Sequence, residues 1–337
     1  MNRVDLFSCF EQEKNIIEQQ MRIDIGSIES DTLRELLEYG IFNGGKRIRP
    51  ILTVLAAKLC DHSGEIDASK LDISPQSLAI YKASMAFEYL HCGSLLHDDI
   101  IDHATTRRGK ACTHLVWGDH SVILAGDFLH VRSMLLASQN VGESDIISRA
   151  LGAMIEAEFL QQHNSTRDMI DESDYVAVIE GKTASLLQAA CQWGGLLMKC
   201  SKLELESLAV YGQKIGIAFQ IVDDILDYAG NENKTGKALG NDWKERKITL
   251  PLIETFKKAN AEDKRWLEAR LAESPEERFE HFGYVTELIK RYDGFAYSNE
   301  YACALIKEAK DALDFFPKSK WRTMLAMLAD SIVTRET

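Results

Sequence analysis

The chain has 337 residues, 45% hydrophobic and 27% charged, and its 39 Lys and Arg against 52 Asp and Glu leave a net charge of −13. The apolar fraction excludes intrinsic disorder, and the acidic balance speaks against non-specific nucleic-acid binding. With 5 prolines and 21 glycines, where about 40 of the two together are usual, a turn-rich all-β chain is also disfavoured.

The opening MNRVDLFSCFEQEKN turns acidic at once and has no apolar h-region, so no signal peptide is expected. No run of 18 residues is free of polar groups, so no spanning helix is expected; the nearest, 184–198, is broken by Gln188 and Gln192. Polar clusters at 61–76, 140–145, 163–173, 230–242 and 272–277 punctuate the chain. Between them apolar residues recur at three- and four-residue spacing, as in Leu78, Tyr81, Met85, Tyr89 and Leu96. Segments 121–137, 146–162, 173–198 and 203–228 read as helices in the same way. The part from 259 is helical and heavily charged, with Trp266, Leu267 and Leu271 on one stripe. The expected fold is all-α: a bundle of ten or more mostly antiparallel helices, forming a single domain over 1–337 because no linker is visible. Seven cysteines without a CxxC pair do not make a disulfide or zinc framework and suit a reducing, cytoplasmic compartment.

Two acidic segments echo one another, DDIIDHATTRRGK from Asp98 and DDILDYAGNENKTGK from Asp223. On a helix, Asp98 and Asp102 lie on one face a turn apart, where like charges repel. A solvated acidic helix end is the plain explanation for one such cluster. Leu95, Leu96, Ile100 and Ile101 around the first, and the apolar run 217–222 before the second, weaken it. Carboxylate pairs at the ends of buried helices call for counter-charge. Magnesium supplies that with oxygen ligands, and it usually completes its shell with water and substrate phosphate. Positive charge is concentrated in two runs, Gly44-Gly45-Lys46-Arg47-Ile48-Arg49-Pro50 and Arg107-Arg108-Gly109-Lys110. Glycine beside cations lets the backbone approach a phosphate, and arginine suits bidentate phosphate contact. Either run alone could be an ordinary surface patch; beside two carboxylate clusters they point to a polyphosphate site.

Taken in order, GGKRIRP, LLHDDIIDHATTRRGK, GKTA, FQIVDDILD and GKALGND followed by TLP resemble the signatures of the trans, head-to-tail isoprenyl diphosphate synthases. The resemblance implies a helical fold around a central cavity. It implies a polyprenyl diphosphate synthase that condenses an allylic diphosphate with successive isopentenyl diphosphates. It places Mg²⁺, three ions with substrate bound, on Asp98, Asp102, Asp223 and Asp227. It puts Arg107, Lys182 and Lys237 on the allylic diphosphate, and Lys46, Arg49, His91 and Arg108 on that of isopentenyl diphosphate. Thr183 and Gln220 fall near the reacting carbons, and Lys247 matches the last lysine of the loop after the second cluster. A homodimer is implied, and product release leaves room for peripheral membrane contact. His97, beside Asp98, is read as a structural hydrogen-bonding residue.

The growing tail is expected to lie along the helix carrying Asp98, where short-chain relatives place large aromatic groups four and five residues upstream. Here those positions are Ser94 and Gly93, small enough to let the tail pass. Leu90 and Phe87, about 12 and 16 Å along the axis, and Met134 on the next helix are the candidate deeper obstructions. A long product of octaprenyl type is expected, with a farnesyl or geranylgeranyl diphosphate synthase as the alternative. A class I terpene cyclase shares DDxxD but needs no second diphosphate site. An HD-type phosphohydrolase would need further histidines around His97-Asp98. A silent subunit of a heteromeric synthase would lose an acidic cluster or a basic run, and this chain keeps them all.

Overall fold

A computed structural model describes residues 3–61, 74–138, 144–167, 169–230 and 239–334. They are almost entirely helical. In chain order the helices are α1 (Arg3–Gly26), α2 (Asp31–Ile41), α3 (Ile48–Cys60), α4 (Pro75–Ile101), α5 (Thr113–Trp117), α6 (Asp119–Ser138), α7 (Ser144–Ser165), α8 (Glu172–Ile179), α9 (Ser185–Leu197) and α10 (Lys202–Ala229). The second half continues with α11 (Asn241–Lys244), α12 (Leu250–Lys258), α13 (Ala261–Leu271), α14 (Pro275–Glu280), α15 (Phe282–Arg291), α16 (Gly294–Leu313) and α17 (Lys320–Val333). The all-α expectation holds, with one small exception. Thr106–Arg107 (β1) pairs antiparallel with Lys110–Ala111 (β2). Arg108 (φ 52°) and Gly109 (φ 76°) form its two-residue turn, the positive-φ pair that matches strand twist.

Local sequence sets the helix starts. Ser74 accepts from Ser77 N–H ahead of Pro75 at the start of α4, and Asp171 and Asp174 form a capping box at α8. Ser274 and Glu277 do the same for α14. The continuous helix expected over 173–198 is interrupted by a π-helical turn, Glu180–Ala184, between α8 and α9.

The chain forms two compact units. The first comprises Met1–Leu151, Leu186–Ala209 and Leu313–Met327; the second comprises Gly152–Ser185, Val210–Ala312 and Leu328–Thr337. In the first, α4 is the central element, packed by α1, α3 and α6. Phe87 of α4 meets Trp193 of α9 edge-on at 6.1 Å, and both are fully buried. Glu13 of α1 joins two other helices, accepting from Tyr81 at 2.7 Å and pairing with buried Lys58. Asp24 accepts from Tyr89 at 2.9 Å and pairs with Arg132 of α6.

In the second unit, α10 lies against the π-helical turn so closely that a Cβ at Gly216 would come 2.5 Å from Ala184 Cα. Tyr228 stacks with Phe282 at 6.0 Å, and the Trp243 indole donates to the Arg278 carbonyl at 2.7 Å.

Among the described residues one helix, α6, is long and apolar enough to cross a membrane by length and composition, with 39% of the relevant window buried. One such helix is weak evidence, since an apolar core helix passes the same test, and the described residues contain no clear transmembrane segment, as expected.

Candidate active site

In the first unit, the candidate residues gather at the C-terminal end of α4. The helical period puts Phe87, His91, Ser94, Asp98 and Asp102 on one stripe, with Leu90, Gly93 and His97 on another. Asp102 is the residue after the last helical turn, its N–H bonded to the Asp98 carbonyl at 2.8 Å. Asp99, between them, is buried, and Arg107 claims it. Arg107 Nε donates to both Asp99 carboxylate oxygens, at 2.7 and 2.9 Å, and Nη2 lies 2.5 Å from Oδ1. Of the three aspartates in DDIID, the middle one therefore folds the following hairpin back onto the helix.

The hairpin brings the two basic runs together. Arg108 donates to the Gly44 carbonyl, and Asn43 Nδ2 donates to the Arg107 carbonyl at 3.3 Å. Glycine is needed here: Gly44 and Gly45 have φ of 86° and 122°, and a Cβ at Gly45 would lie 3.0 Å from guanidinium nitrogens of both Arg108 and Arg47. His91 lies in the same cluster. Burial holds its imidazole well below the usual range, and the positive charge of Arg49, Arg108, Arg107 and Arg47 adds to that. His91 is thus a neutral hydrogen-bonding group among cations, of which Arg107 is paired with Asp99 and Arg47 with Glu18 and Glu88.

Arg47 was not a candidate from sequence. Its side chain is fully buried. Nε donates to Glu18 at 3.0 Å, Nη1 to Glu88 at 2.8 Å and Nη2 to the Ile41 carbonyl at 2.8 Å. With its backbone left-handed at φ 52°, it anchors the segment that bears Lys46 and Arg49.

The passage expected at Gly93 is filled. A Cβ there would lie 2.8 Å from the His130 ring and 3.0 Å from the Gly126 carbonyl of α6. Gly93 lets two helices pack closely, because its stripe faces α6. Ser94 remains on the Asp98 stripe. Leu90 and Phe87 are fully buried. Met134 of α6 accepts a long 3.7 Å contact from Ser148 of α7 through its thioether.

In the second unit the sites lie on α10 and the π-helical turn. Asp223 and Asp227 are half-buried, while Asp224 is buried. As in the first cluster, the middle carboxylate is held by the protein. Asp224 Oδ2 accepts from Tyr175 at 2.7 Å and Oδ1 from Gln220 Nε2 at 2.8 Å. Gln220 Oε1 accepts in turn from the Thr183 hydroxyl at 3.0 Å, so Thr183, Gln220, Asp224 and Tyr175 form one chain. Lys182 Nζ lies 2.5 Å from Glu158 and 3.2 Å from Gln161 Oε1 of α7. The π-helical turn is what separates Lys182, directed to α7, from Thr183, directed to α10; such turns recur at functional sites. Asp227 accepts from Asp242 N–H at 3.0 Å. Lys247 Nζ pairs with Glu245 at 2.5 Å while its N–H bonds the Asp242 carbonyl at 2.7 Å. Lys237 lies outside the described residues.

Burial, with Asp223 and Asp227 adding to it, pushes the Asp224 carboxyl up to about 7. Asp242 is likewise raised well above the carboxylate range, first by burial and then by Asp224 and Asp227. Four carboxyl groups crowded to this degree fit a hard divalent cation. Tyr175→Phe is expected to lower the stability of the metal-free protein by about 1–3 kcal/mol, the cost of removing a donor from a buried carboxyl group. Urea denaturation measures this, and an unchanged midpoint would show that the Tyr175 hydroxyl contributes nothing to the fold.

Comparison with known proteins places these residues in context. The pattern of the polyprenyl synthetase family matches residues 30–288. The octaprenyl diphosphate synthase of Escherichia coli is 31% identical over 306 residues, 90% of either chain. The short chain isoprenyl diphosphate synthase of Methanothermobacter thermautotrophicus is 30% identical over 340 residues, 99% of either chain. A crystal structure of polyprenyl synthase from Caulobacter crescentus, complexed with calcium and isoprenyl diphosphate, superposes with a TM-score of 0.87 at 31% identity, covering 98% of this chain and 97% of that one. With the match running across both acidic clusters and both basic runs, the chain belongs to the polyprenyl synthetase family of prenyltransferases.

Proposed function

We propose that this chain is an active, Mg²⁺-dependent trans-prenyl diphosphate synthase that extends an allylic diphosphate with successive isopentenyl diphosphates to a long product, of octaprenyl type. The observation that carries this reading is the meeting of GGKRIRP and RRGK around a neutral His91. In a chain of net charge −13, so dense a cationic cluster calls for a polyanion, and the hairpin builds it beside the carboxylates of α4. Lys46, Arg49, His91 and Arg108 bind the diphosphate of isopentenyl diphosphate. Arg107, Lys182 and Lys237 serve the allylic diphosphate, with Lys247 supporting the second cluster.

Asp98 and Asp102, and likewise Asp223 and Asp227, are the residues to hold the metal. Magnesium, three ions in the substrate-bound enzyme, supplies the charge neutralisation that makes diphosphate a leaving group. The protein's own part is to bind and orient. Its cations stabilise the departing diphosphate, and the apolar residues of α4 keep water from the allylic carbocation. Thr183 and Gln220, fixed by their mutual hydrogen bond, offer oxygen dipoles near the reacting carbons. The isopentenyl double bond attacks the cation, and the released diphosphate takes the proton. Incubating the purified protein with Mg²⁺, isopentenyl diphosphate and each of three allylic primers tests the reading by mass spectrometry. Polyprenyl diphosphates are expected, and no elongation from any primer overturns it.

Product length rests on the Asp98 stripe, since relatives of short-chain and octaprenyl type are equally similar. Ser94 is the small residue on that stripe, and Phe87, backed by Trp193, lies two turns below it. Ser94→Phe is expected to shorten the product to about fifteen carbons, because an aromatic ring one turn from Asp98 closes the path. Products of unchanged length in that variant would remove α4 as the ruler. We further propose a single domain over 1–337 acting as a homodimer. The exposed stripe of Leu124, Val131 and Leu135 on α6 supports the dimer. The seven free cysteines support the cytoplasm as compartment.

A further inference from the structure

Beside the first acidic cluster but on another face of α4, α4 and α6 bring His97, Asp127 and His130 together with one ligand atom from each within 4.8 Å of the others. Asp127 and His130, three residues apart, share a face of α6; His97 comes from the α4 stripe facing them. We propose that these three residues form a separate site for one divalent transition-metal ion of the zinc class.

The site is built into the packing of the two helices. Both helices are notched by glycine where the rings sit. A Cβ at Gly93 would lie 2.8 Å from His130 Nε2, and one at Gly126 would collide with the His97 ring. The imidazoles meet edge to face at 5.5 Å. His130 makes a ring hydrogen bond to the Leu90 carbonyl, while its Nε2 is buried with no partner. A ring nitrogen tied to a carbonyl with the other nitrogen open is the arrangement that orients a metal-binding histidine. Leaving a buried nitrogen unsatisfied is costly, and a metal satisfies it.

His97 Nε2 lies 3.7 Å from Asp127 Oδ1 and 3.0 Å from the Ile123 carbonyl. Without metal, Nε2 carries the proton and donates to Ile123. With metal, the proton moves to Nδ1 and Nε2 turns to the ion. Bonds near 2.0 Å in a tetrahedron put ligand atoms roughly 3.3 Å apart, so side-chain rotation suffices to close the set. Asp127 is 61% exposed and His97 25%, which gives the ion a way in and leaves a position for water. Two imidazoles and one carboxylate favour zinc, nickel or cobalt over magnesium, so the site is chemically distinct from the all-oxygen clusters. An ion there would pin α4 to α6 at the residue immediately before Asp98.

Equilibrium dialysis of the intact protein with Zn²⁺ in excess Mg²⁺ tests this. Magnesium occupies the carboxylate clusters, and one Zn²⁺ per chain is expected to remain in the unchanged protein and in Asp98→Ala. His130→Ala and Asp127→Asn are expected to weaken Zn²⁺ binding by on the order of 100-fold. Co²⁺ substitution should give an intense visible absorption in the unchanged protein, lost in both variants. Asp127 is exposed, so its variant reports on binding even where the loss of His130 disturbs the fold. No Mg²⁺-resistant zinc in the unchanged protein, or equal retention in Asp127→Asn, overturns the proposal.

Discussion

Asp98→Ala and Asp223→Ala are each expected to lower kcat by on the order of 10²–10³-fold while leaving thermal unfolding nearly unchanged. The two acidic motifs contain three aspartates apiece, and the structure divides their labour in the same way in both. The first and last share a helix face, one turn apart. The middle one is buried and already committed, Asp99 to Arg107 and Asp224 to Tyr175 and Gln220. Asp99→Ala and Asp224→Ala should therefore show the converse pattern. Each removes a buried carboxylate from its donors, Asp224→Ala leaving the buried Tyr175 hydroxyl unpaired and Asp99→Ala releasing Arg107, and stability falls along with activity. Steady-state kinetics on all four variants, with melting curves for each, separates the two roles. In Asp98→Ala and Asp223→Ala the Mg²⁺ concentration for half-maximal activity should also rise, because an oxygen ligand has gone. Near-normal turnover in either variant would falsify its assignment as a metal-holding residue.

The helical period, the two Asp clusters and the two basic runs were legible in the sequence because each is local. Spacing of three and four residues sets a helix face, and glycine beside arginine marks a close backbone approach. α10, expected over 203–228, spans Lys202–Ala229. The features that escaped depend on partners far along the chain. Lys46, Arg47 and Arg49 look alike in sequence, and only the fold shows that Arg47 is the one turned inward, to Glu18 and Glu88. Gly93 reads as a gap in a tunnel wall until His130, 37 residues on, is seen to fill it. The π-helical turn at Glu180–Ala184 adds a residue per turn without changing composition, so no pattern in EGKTA announces it. Gly181 gives a partial signal in retrospect: a Cβ there would lie 2.7 Å from Ala157 Cβ, so the turn needs glycine to approach α7.

Arg47→Ala is expected to destabilise the protein by about 3–5 kcal/mol, the penalty for breaking a buried ion pair from one side. Its guanidinium is fully buried and Glu88 nearly so, and Glu88 Oε2 already lacks a partner among the described residues. Removing the arginine leaves that carboxylate without its charge partner and the Ile41 carbonyl without its donor. Arg47→Lys should recover only part of the loss. An ammonium restores the charge but cannot reach Glu18, Glu88 and the Ile41 carbonyl at once, as the planar fork does. Chemical denaturation measures both. Function should suffer through position rather than charge. Arg47 sits between Lys46 and Arg49, and its Nη1 lies 3.0 Å from the place a Cβ on Gly45 would take. Loosening it should raise KM for isopentenyl diphosphate several-fold more than it lowers kcat. Pairing Arg47→Met with Glu88→Leu provides the decisive contrast, since replacing both charges by apolar groups of similar volume removes the stranded carboxylate. If that double variant regains stability yet keeps the raised KM, Arg47 acts by holding the basic loop in register; if KM returns as well, its part is confined to the fold.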